Sequence, residues 1–172
     1  MSKKIIITGG LGYIGTELCK LYSGVSWHHK IIIIDNRFIS ERVSQIRNWN
    51  MEFVQGDILD KDLVKKYFAD ADVVHHLAGI TDVPRTKSES LLAQDEKIKE
   101  VGEIGTQNIL DVISDKCKII FPSTHVVYEG IAEVKTNIKE DEKTKPVLSY
   151  SSSKAVNENQ LKRSGKNYII LR

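Results

Sequence analysis

Three groups of residues in this 172-residue chain have the types and spacing that chemistry requires. In the first, Tyr150 and Lys154 stand at i and i+4, which places a phenol and an ammonium on one face of a helix. A nearby cation can lower the pKa of a tyrosine from about 10 toward neutrality, so that the phenolate becomes a usable base. In the second, Ser123 and Thr124 supply hydroxyl groups directly after an apolar run. By itself, Y-x-x-x-K is very common and is better explained as a solvated helix face, and turn capping is an equally good role for Ser123. The position of Tyr150 at the start of the last helix, after the fifth apolar run, favours proton transfer.

The third group is the glycine-rich segment 8–15, which reads T-G-G-L-G-Y-I-G. It fits G-x-G-x-x-G through Gly10, Gly12 and Gly15, and it fits G-x-x-G-x-x-G through Gly9, Gly12 and Gly15. Glycines in these patterns permit a tight turn, bring backbone amides to a pyrophosphate and let the next helix pack closely. The segment therefore predicts a dinucleotide site at a helix N-terminus. A strand-to-helix turn without a ligand is the weaker interpretation.

Asp35 strengthens the dinucleotide interpretation, because it ends the second apolar run twenty positions after Gly15. An acid at this point accepts hydrogen bonds from the adenosine ribose hydroxyls and repels a 2′-phosphate. NAD is therefore favoured over NADP. Arg37, two residues further on, could tolerate a phosphate, which keeps the preference from being absolute.

Apolar runs that alternate with helical patterns must position these groups. The sequence predicts strands at 3–8, 30–35, 52–55, 72–76, 118–122 and 168–172, and helices at 12–22, 60–69, 88–113 and 149–164. Asp60 is the expected N-cap of the second helix. Continuous apolar strands are typical of a parallel sheet with helices on both faces. The expected fold is therefore α/β, a doubly wound Rossmann sheet of order 3-2-1-4-5-6 in one domain, 1–172.

Composition limits the classes of partner. Hydrophobic residues make up 41% and charged residues 28% of the chain, as in soluble globular proteins. A net charge of +2 gives no electrostatic reason to expect nucleic acid or membrane as a partner. Two cysteines, together with no apolar run long enough for a signal or membrane segment, predict a cytoplasmic protein. The histidine pairs at 28–29 and 75–76 lack a suitably spaced third ligand, so no metal site is expected.

Together, these motifs resemble the extended short-chain dehydrogenase/reductases, the NAD-dependent epimerase/dehydratase family that includes UDP-galactose 4-epimerase. The resemblance covers essentially the whole chain. The motifs that carry it, in family order and spacing, are T-G-G-x-G-Y-I-G at 8–15, Asp35-Asn36, Gly56-Asp57-Ile58, His76-Leu77-Ala78-Gly79, Ser123-Thr124-x-x-Val127-Tyr128 and Tyr150-x-x-x-Lys154.

The resemblance implies a Rossmann domain that binds NAD and acts on a nucleotide-sugar. Tyr150 would take a proton from a sugar hydroxyl while hydride passes to the nicotinamide. Lys154 would bind the nicotinamide ribose and depress the pKa of Tyr150, and Thr124 would hydrogen-bond the reacting sugar oxygen. The residues implied to contact the cofactor are Gly9, Gly12, Tyr13, Ile14, Gly15, Asp35, Asn36, Asp57, Ile58, Leu77, Ala78, Gly79, Tyr150 and Lys154.

Several positions depart from the family pattern. His125 and Val126 stand where 4,6-dehydratases have Asp and Glu, and decarboxylases also have Glu at the second position. Valine cannot transfer a proton, so these chemistries are disfavoured and epimerisation through a keto intermediate is expected. The role of His125 stays open between substrate contact and solvent exposure. Gly102 replaces the Asn of N-V-x-G-T, and Glu129 and Ser151 replace glycines.

The family also continues well beyond segment 169–172, into a domain that grips the nucleotide-sugar. We therefore expect this chain to be a truncated, cofactor-binding portion that binds NAD and turns over poorly alone. Two alternatives stay open: a non-catalytic NAD-binding module, and an NAD(P)-dependent reductase or dehydrogenase of a non-sugar substrate. The resemblance further implies a homodimer, in which helices 88–113 and 149–164 form a four-helix interface.

Overall fold

The computed structural model describes residues 2–81 and 92–172. Within these ranges, six strands form a single sheet in the order β3-β2-β1-β4-β5-β6, and all neighbouring pairs are parallel. This confirms the predicted fold class and strand order. The strands are β1 Lys4–Thr8, β2 Lys30–Asp35, β3 Glu52–Gln55, β4 Val73–His76, β5 Lys118–Pro122 and β6 Asn167–Leu171. Because the strands are parallel, their carboxyl ends meet at one edge of the sheet.

Helices connect the strands. They are α1 Tyr13–Tyr22, α2 Ser40–Asn48, α3 Lys61–Phe68, α4 Leu92–Lys99, α5 Gly105–Val112 and α6 Ser149–Arg163. A π-helical turn, Glu100–Ile104, joins α4 to α5, and a short 3₁₀ helix, His125–Tyr128, follows β5. The Asp60 side chain accepts hydrogen bonds from the amides of Asp62 and Leu63, which confirms the predicted N-cap of α3. No helix in the described ranges is long and apolar enough to cross a bilayer.

The sheet separates two apolar layers, since successive side chains of a strand point to opposite faces. On one face, residues of β1 and β2 pack against α1 and α2; the buried members include Ile5, Ile7, Ile31, Ile33, Cys19, Val43 and Ile46. On the other face, the layer draws on α3, α5 and α6; its members include Ile6, Ile32, Ile34, Val64, Phe68, Ile109, Phe121 and Leu161. The sheet is therefore covered on both faces, as its continuous apolar strands predict.

Helix α2 was not predicted from the sequence. Its segment, S-E-R-V-S-Q-I-R-N, is mostly polar, and within it the structure buries only Val43 and Ile46. Those two residues stand three positions apart on one helical face and pack on the layer beside β1 and β2. Two apolar positions give a short amphipathic signal, so tertiary burial forms a helix that the pattern by itself indicates weakly.

The helix predicted at 88–113 is helical from Leu92 to Val112, but the π turn interrupts it. Residues 88–91 lie outside the described ranges. The turn coincides with two carbonyls that α6 uses, because the Asn157 amide donates to the Gly102 carbonyl (3.0 Å) and the Gln160 amide donates to the Glu103 carbonyl (2.9 Å). The prediction of one regular helix was therefore wrong at the segment that α6 packs against.

Candidate active site

The glycine loop links β1 directly to α1. Gly9 has a φ of +66°, in the region that favours glycine, and its amide donates to the Ile34 carbonyl at 2.8 Å. A Cβ at Gly15 would lie 2.4 Å from the Gly9 carbonyl oxygen, so only glycine lets α1 pack this closely. No side chain caps α1 at Gly12, and Tyr13 and Ile14 of its first turn are exposed. The first-turn amides therefore face the sheet edge where an anion could bind.

Segment 77–79 runs beside this loop. The Leu77 amide donates to the Thr8 carbonyl (3.2 Å) and the Ala78 amide donates to the Thr8 hydroxyl (3.0 Å). A Cβ at Gly9 would approach the Ala78 amide nitrogen to 2.8 Å, so the two segments touch through their backbones. Gly79 is exposed and a Cβ there would meet nothing within 4 Å. These three predicted residues therefore lie at the same edge as the glycine loop.

The acidic partner at the end of β2 is buried. The Oδ2 atom of Asp35 accepts from the Leu11 amide at 3.0 Å, and Oδ1 accepts from the Arg37 amide at 3.0 Å. The Asn36 amide group donates to Asp57 Oδ2 at 3.2 Å, which joins the ends of β2 and β3. The resemblance implies that Asp35, Asn36 and Asp57 contact one cofactor, and in the structure these three residues lie close together.

Ile58, which the resemblance implies to contact the cofactor, has a buried side chain. Its side chain is buried in the apolar layer under α5, where a Cβ at Gly105 would lie 2.4 Å from Ile58 Cδ1. Its carbonyl accepts a hydrogen bond from the buried Asn108 amide at 3.1 Å. The side chain of Ile58 therefore supports α5.

The sequence indicated no role for the paired histidines of β4, and in the structure both have hydrogen-bond partners. His76 connects β1 to α5, because its Nδ1 lies 2.9 Å from Thr8 Oγ1 and its Nε2 lies 3.0 Å from Thr106 Oγ1. Burial, with a contribution from the charge of Lys154, lowers the pKa of His76 to about 3. The ring is therefore neutral at physiological pH, with one nitrogen donating and the other accepting.

His75 points to the opposite face, where its Nε2 lies 2.8 Å from the Tyr22 hydroxyl. Burial lowers the pKa of His75 as well. The two rings, 5.5 Å apart, meet edge to face, so the pair fixes α1 on the sheet. Among the described residues, no three or more His, Cys, Asp or Glu side chains form a group that could hold a metal ion.

Thr124, Tyr150 and Lys154 converge at the carboxyl end of β5. Burial raises the pKa of the Tyr150 phenol above its usual value, and a hydrogen bond with the Thr124 side chain partly offsets this effect. Burial also lowers the pKa of Lys154 to about 8. The Lys154 ammonium donates to the Pro122 carbonyl at 2.8 Å and lies 4.3 Å from the Phe121 ring centroid and 5.9 Å from that of Tyr150.

The pKa of Tyr150 thus moves in the direction opposite to the one expected from a lysine four residues away. The Lys154 ammonium lies over the faces of the Phe121 and Tyr150 rings and donates to the Pro122 carbonyl. Desolvation of the phenol disfavours the phenolate. Activation of Tyr150 as a base in this arrangement would require more positive charge than the described residues place beside the phenol.

Two of the departures from the family pattern contact each other. Glu129 Oε1 accepts hydrogen bonds from the Ser151 hydroxyl and from the amides of Val147 and Leu148, both at 2.7 Å. Burial opposes ionisation of Glu129, but these hydrogen bonds hold its pKa below the usual value. Leu148, the N-cap residue of α6, makes no side-chain capping hydrogen bond. The Glu129 carboxylate therefore anchors the N-terminus of α6, the helix that carries Tyr150. The two departures separately gave no indication of this pairing.

Ser123 is engaged within the protein. Its hydroxyl donates to Glu158 Oε1 at 2.6 Å, and the Arg172 Nε also donates to that oxygen at 2.8 Å. Burial disfavours the charged form of Glu158, yet the hydrogen bonds from Arg172 and Ser123 lower its pKa below the usual value. This network ties β5, α6 and the end of β6 together. The sequence predicted proton transfer or turn capping for Ser123, and it did not indicate the contact with Glu158.

His125 lies on a separate surface. It is exposed and lines a cavity of about 430 Å³, together with Tyr128, Glu129 and Arg172 among others. Neither Tyr150 nor Lys154 lines this cavity. His125 is therefore adjacent to Thr124 in sequence, but it lines a cavity to which Tyr150 and Lys154 do not contribute.

Comparisons with known proteins agree with this architecture. The model of the NAD dependent epimerase/dehydratase family matches residues 5–172. The chain is 34% identical over 130 residues to a UDP-N-acetyl-alpha-D-glucosaminuronate decarboxylase of Bacillus cytotoxicus and 31% identical over 142 residues to a UDP-glucose 4-epimerase of Neisseria meningitidis serogroup C. These matches cover 74% and 73% of the chain, but 38% of each relative.

A crystal structure of a UDP-glucuronic acid 4-epimerase mutant from Bacillus cereus, in complex with a UDP-sugar analogue and NAD, has the same fold. Its TM-score is 0.83 at 27% identity, with coverage of 98% of this chain and 55% of that one. The chain therefore belongs to the NAD-dependent epimerase/dehydratase family, an enzyme family whose cofactor is NAD. It spans about half or less of the length of these relatives, which include a decarboxylase as well as epimerases.

Proposed function

We propose that residues 1–172 are the cofactor-binding Rossmann portion of an NAD-dependent nucleotide-sugar epimerase. The observation that carries this proposal is the convergence of Thr124, Tyr150 and Lys154 at the sheet edge that also holds the glycine loop and Asp35. Ligands of doubly wound sheets bind outside the carboxyl ends of the strands, so these residues and a bound dinucleotide would share one cleft.

The residues at this edge fit NAD. The uncapped N-terminus of α1 and the close Gly9–Gly15 packing form a cradle that a pyrophosphate would fill. Asp35 would accept hydrogen bonds from the adenosine ribose, and Asp57 and segment 77–79 would line the rest of the cleft. When bound, the nicotinamide would reversibly accept a hydride from a sugar carbon. It would also bring the positive charge that the phenol of Tyr150 lacks.

Tyr150 would be the acid/base of the reaction. Its phenolate would remove the proton of a sugar hydroxyl, to which the Thr124 hydroxyl would donate a hydrogen bond. Lys154, whose ammonium now donates to the Pro122 carbonyl, is the protein cation available to bind the nicotinamide ribose and stabilise the phenolate. Glu129 and Ser151 would keep the first turn of α6, and with it Tyr150, in place.

Epimerisation is the chemistry that fits the residues after β5. Elimination of water or loss of carbon dioxide in this family uses a carboxyl group at the position of Val126. The valine side chain has no ionisable group that could take that role. Removal and return of hydride would use the acid/base at Tyr150 together with bound NAD as the hydride acceptor, and needs no carboxyl group at position 126. The proposed substrate is therefore a nucleotide-sugar with a free hydroxyl at the reacting carbon.

The exposed apolar side chains on α4 through α6 support the proposal of a homodimer. Leu92, Ile104 and Val156 are among the exposed large hydrophobic residues, and they lie on the helices that would form a four-helix interface. Light scattering after size exclusion would give twice the mass of one chain if this proposal holds. A monomer at micromolar concentration would contradict it.

Substitution of Tyr150→Phe tests the catalytic proposal. In a longer protein that joins this chain to a substrate domain, it should lower the epimerisation of UDP-glucose, followed by NMR, by about 10²–10⁴-fold, because it removes the proton carrier. The affinity for NAD, measured by calorimetry, should change little. Tyr168→Phe, on the edge strand β6, is the matched control and should leave both unchanged. Unchanged turnover in Tyr150→Phe would contradict the acid/base assignment. NAD binding without turnover of any nucleotide-sugar by that longer protein would favour a binding module.

A further inference from the structure

The carboxylate of Asp35 is already matched by a positive charge. The Arg37 Nε lies 3.3 Å from Asp35 Oδ1, which also accepts the Arg37 amide. Asp35 Oδ2 accepts the Leu11 amide, and the residue is only 5% exposed. A carboxylate held in this way presents less uncompensated negative charge to a ligand than an isolated one would.

The guanidinium of Arg37 is available to a ligand. Its side chain is 59% exposed, and it lies along the glycine turn, where a Cβ at Gly12 would be 4.0 Å from Arg37 Nη2. Within residues 2–81 and 92–172, the Arg37 side chain donates to a protein acceptor only through its Nε–H. The N–H groups on the two Nη atoms can therefore bind an anion in the planar, bidentate manner typical of phosphate recognition.

Arg42, in the first turn of α2, adds a second positive charge. Its Nη1 donates to the Leu11 carbonyl, whereas Asp35 accepts from the Leu11 amide. Both side chains therefore bind the backbone of the same glycine-loop residue. The charges of Asp35, Arg37 and Arg42 sum to +1. The neighbouring carboxylate, Asp57, is on the other side of Asn36 and accepts from the Asn36 side chain and the Leu59 amide.

We infer that the adenosine end of this cleft accepts a ribose 2′-phosphate as well as a free 2′-hydroxyl, with Arg37 as the residue that decides the selectivity. The inference rests on the proposed cofactor cleft and extends it to NADP. Asp35 at the end of β2 ordinarily repels a 2′-phosphate. Here Arg37 offsets that repulsion through its contact with Asp35, and Arg42 adds a second positive charge at the Leu11 carbonyl.

Calorimetric titration of the nucleotide-free chain with NAD and with NADP tests the inference, because these ligands differ only in the 2′-phosphate. The chain should bind both, with dissociation constants within about tenfold of each other. Arg37→Gln should weaken NADP binding by about tenfold or more, the value of a lost charge-assisted hydrogen bond. Its NAD affinity should be unchanged or slightly higher, since Asp35 Oδ1 is released for the ribose.

Arg47→Gln is the matched control. It removes the same charge from the exposed last turn of α2, and it should change neither affinity. The NADP affinity of the unmodified chain should also fall more steeply with salt than the NAD affinity, because the added phosphate contact is ionic. Circular dichroism of each variant would establish that it is folded.

Two results would overturn the inference while leaving the proposed function intact. One is a preference for NAD of more than about tenfold in the unmodified chain. The other is an equal loss of NAD and NADP affinity in Arg37→Gln, which would make Arg37 a structural support of the cleft. If the folded chain bound neither nucleotide, the inference and the proposed cofactor function would both fail.

Discussion

At the scale of single residues, the candidate site depends on how closely backbones approach one another. The glycine loop contacts α1 and segment 77–79 at distances where a Cβ would lie less than 3.0 Å from backbone atoms. The functional side chains have equally specific partners, such as the Pro122 carbonyl for Lys154. Small changes in volume at these residues should therefore have large effects on binding.

The change Gly15→Ala tests this at one atom. The new Cβ would lie 2.4 Å from the Gly9 carbonyl oxygen and 2.6 Å from Gly10 Cα, so the loop must move away from α1. Overpacking of this kind costs about 1–3 kcal/mol of unfolding free energy. Because the loop amides shift, the affinity for NAD should fall by about tenfold or more.

The control is Gly24→Ala, where a Cβ meets nothing within 4 Å. Urea unfolding and NAD titration of both variants would measure the difference. If Gly15→Ala bound NAD as tightly as Gly24→Ala did, the glycine loop would not be the cofactor cradle.

At the scale of the elements, the position of α6 is set by contacts with segments far from it in sequence. Glu129 anchors its N-terminus, and the π turn between α4 and α5 receives its Asn157 and Gln160 side chains. Gly102 lies at the closest approach, because a Cβ there would be 2.3 Å from Ser153 Oγ. The glycine that replaces the family's asparagine therefore has a packing role between two helices.

Gly102→Ala should consequently destabilise the protein by about 1–3 kcal/mol. An exposed helix would instead gain about 1 kcal/mol from alanine, so the sign of the change separates packing from helix propensity. In Ser153→Ala the contacting oxygen is removed, and the second substitution should then be tolerated better. A double-mutant cycle by urea unfolding measures this coupling. Additive free energies would show that Gly102 and Ser153 do not restrict each other.

At the scale of the whole molecule, buried polar groups join layers that the apolar core alone would leave independent. His76 bridges Thr8 on the central strand and Thr106 on α5, while His75 bridges the sheet to α1 on the opposite face. Both rings are held neutral by burial. Their protonation equilibria therefore couple the stability of the fold to pH.

Stability should fall as the pH decreases below about 6.5. The folded-state pKa of His76, about 3, lies below its usual value of 6.5, so the unfolded chain takes up a proton in this window and the folded chain does not. This difference costs about 1.4 kcal/mol per pH unit for His76, and His75 acts in the same direction. Urea unfolding at pH 7.5 and pH 5 would show the loss.

The variant His76→Gln should reduce that pH dependence, although it should also be less stable at pH 7.5. NMR of the unmodified protein supplies a second measurement, which does not depend on the folding of this variant. The His76 imidazole resonances should keep their positions between pH 8 and pH 5. Titration of His76 with a midpoint near 6.5 would contradict the buried bridge.

The amino-acid sequence by itself determined the fold class, the strand order and the candidate cofactor residues. It could do so because these signals are local: apolar runs form strands, the glycine pattern forms a loop, and Tyr150 and Lys154 share a helix face. The structure also brings Asp35 and segment 77–79 into contact with the glycine loop. The short polar helix α2 and the π turn were missed, since both depend on packing against distant segments.

The tertiary structure alone decided which of these residues meet and in what electrostatic state. His76 lies 68 positions from Thr8 and 30 from Thr106, and Glu129 lies 22 positions from Ser151. Their pairing depends on how the helices and strands pack, which no local pattern encodes. Burial, which raises the pKa of Tyr150 and lowers that of Lys154, is likewise a property of the packed molecule. The order of residues along the chain therefore supplied the chemical groups, and the fold set their charges and partners.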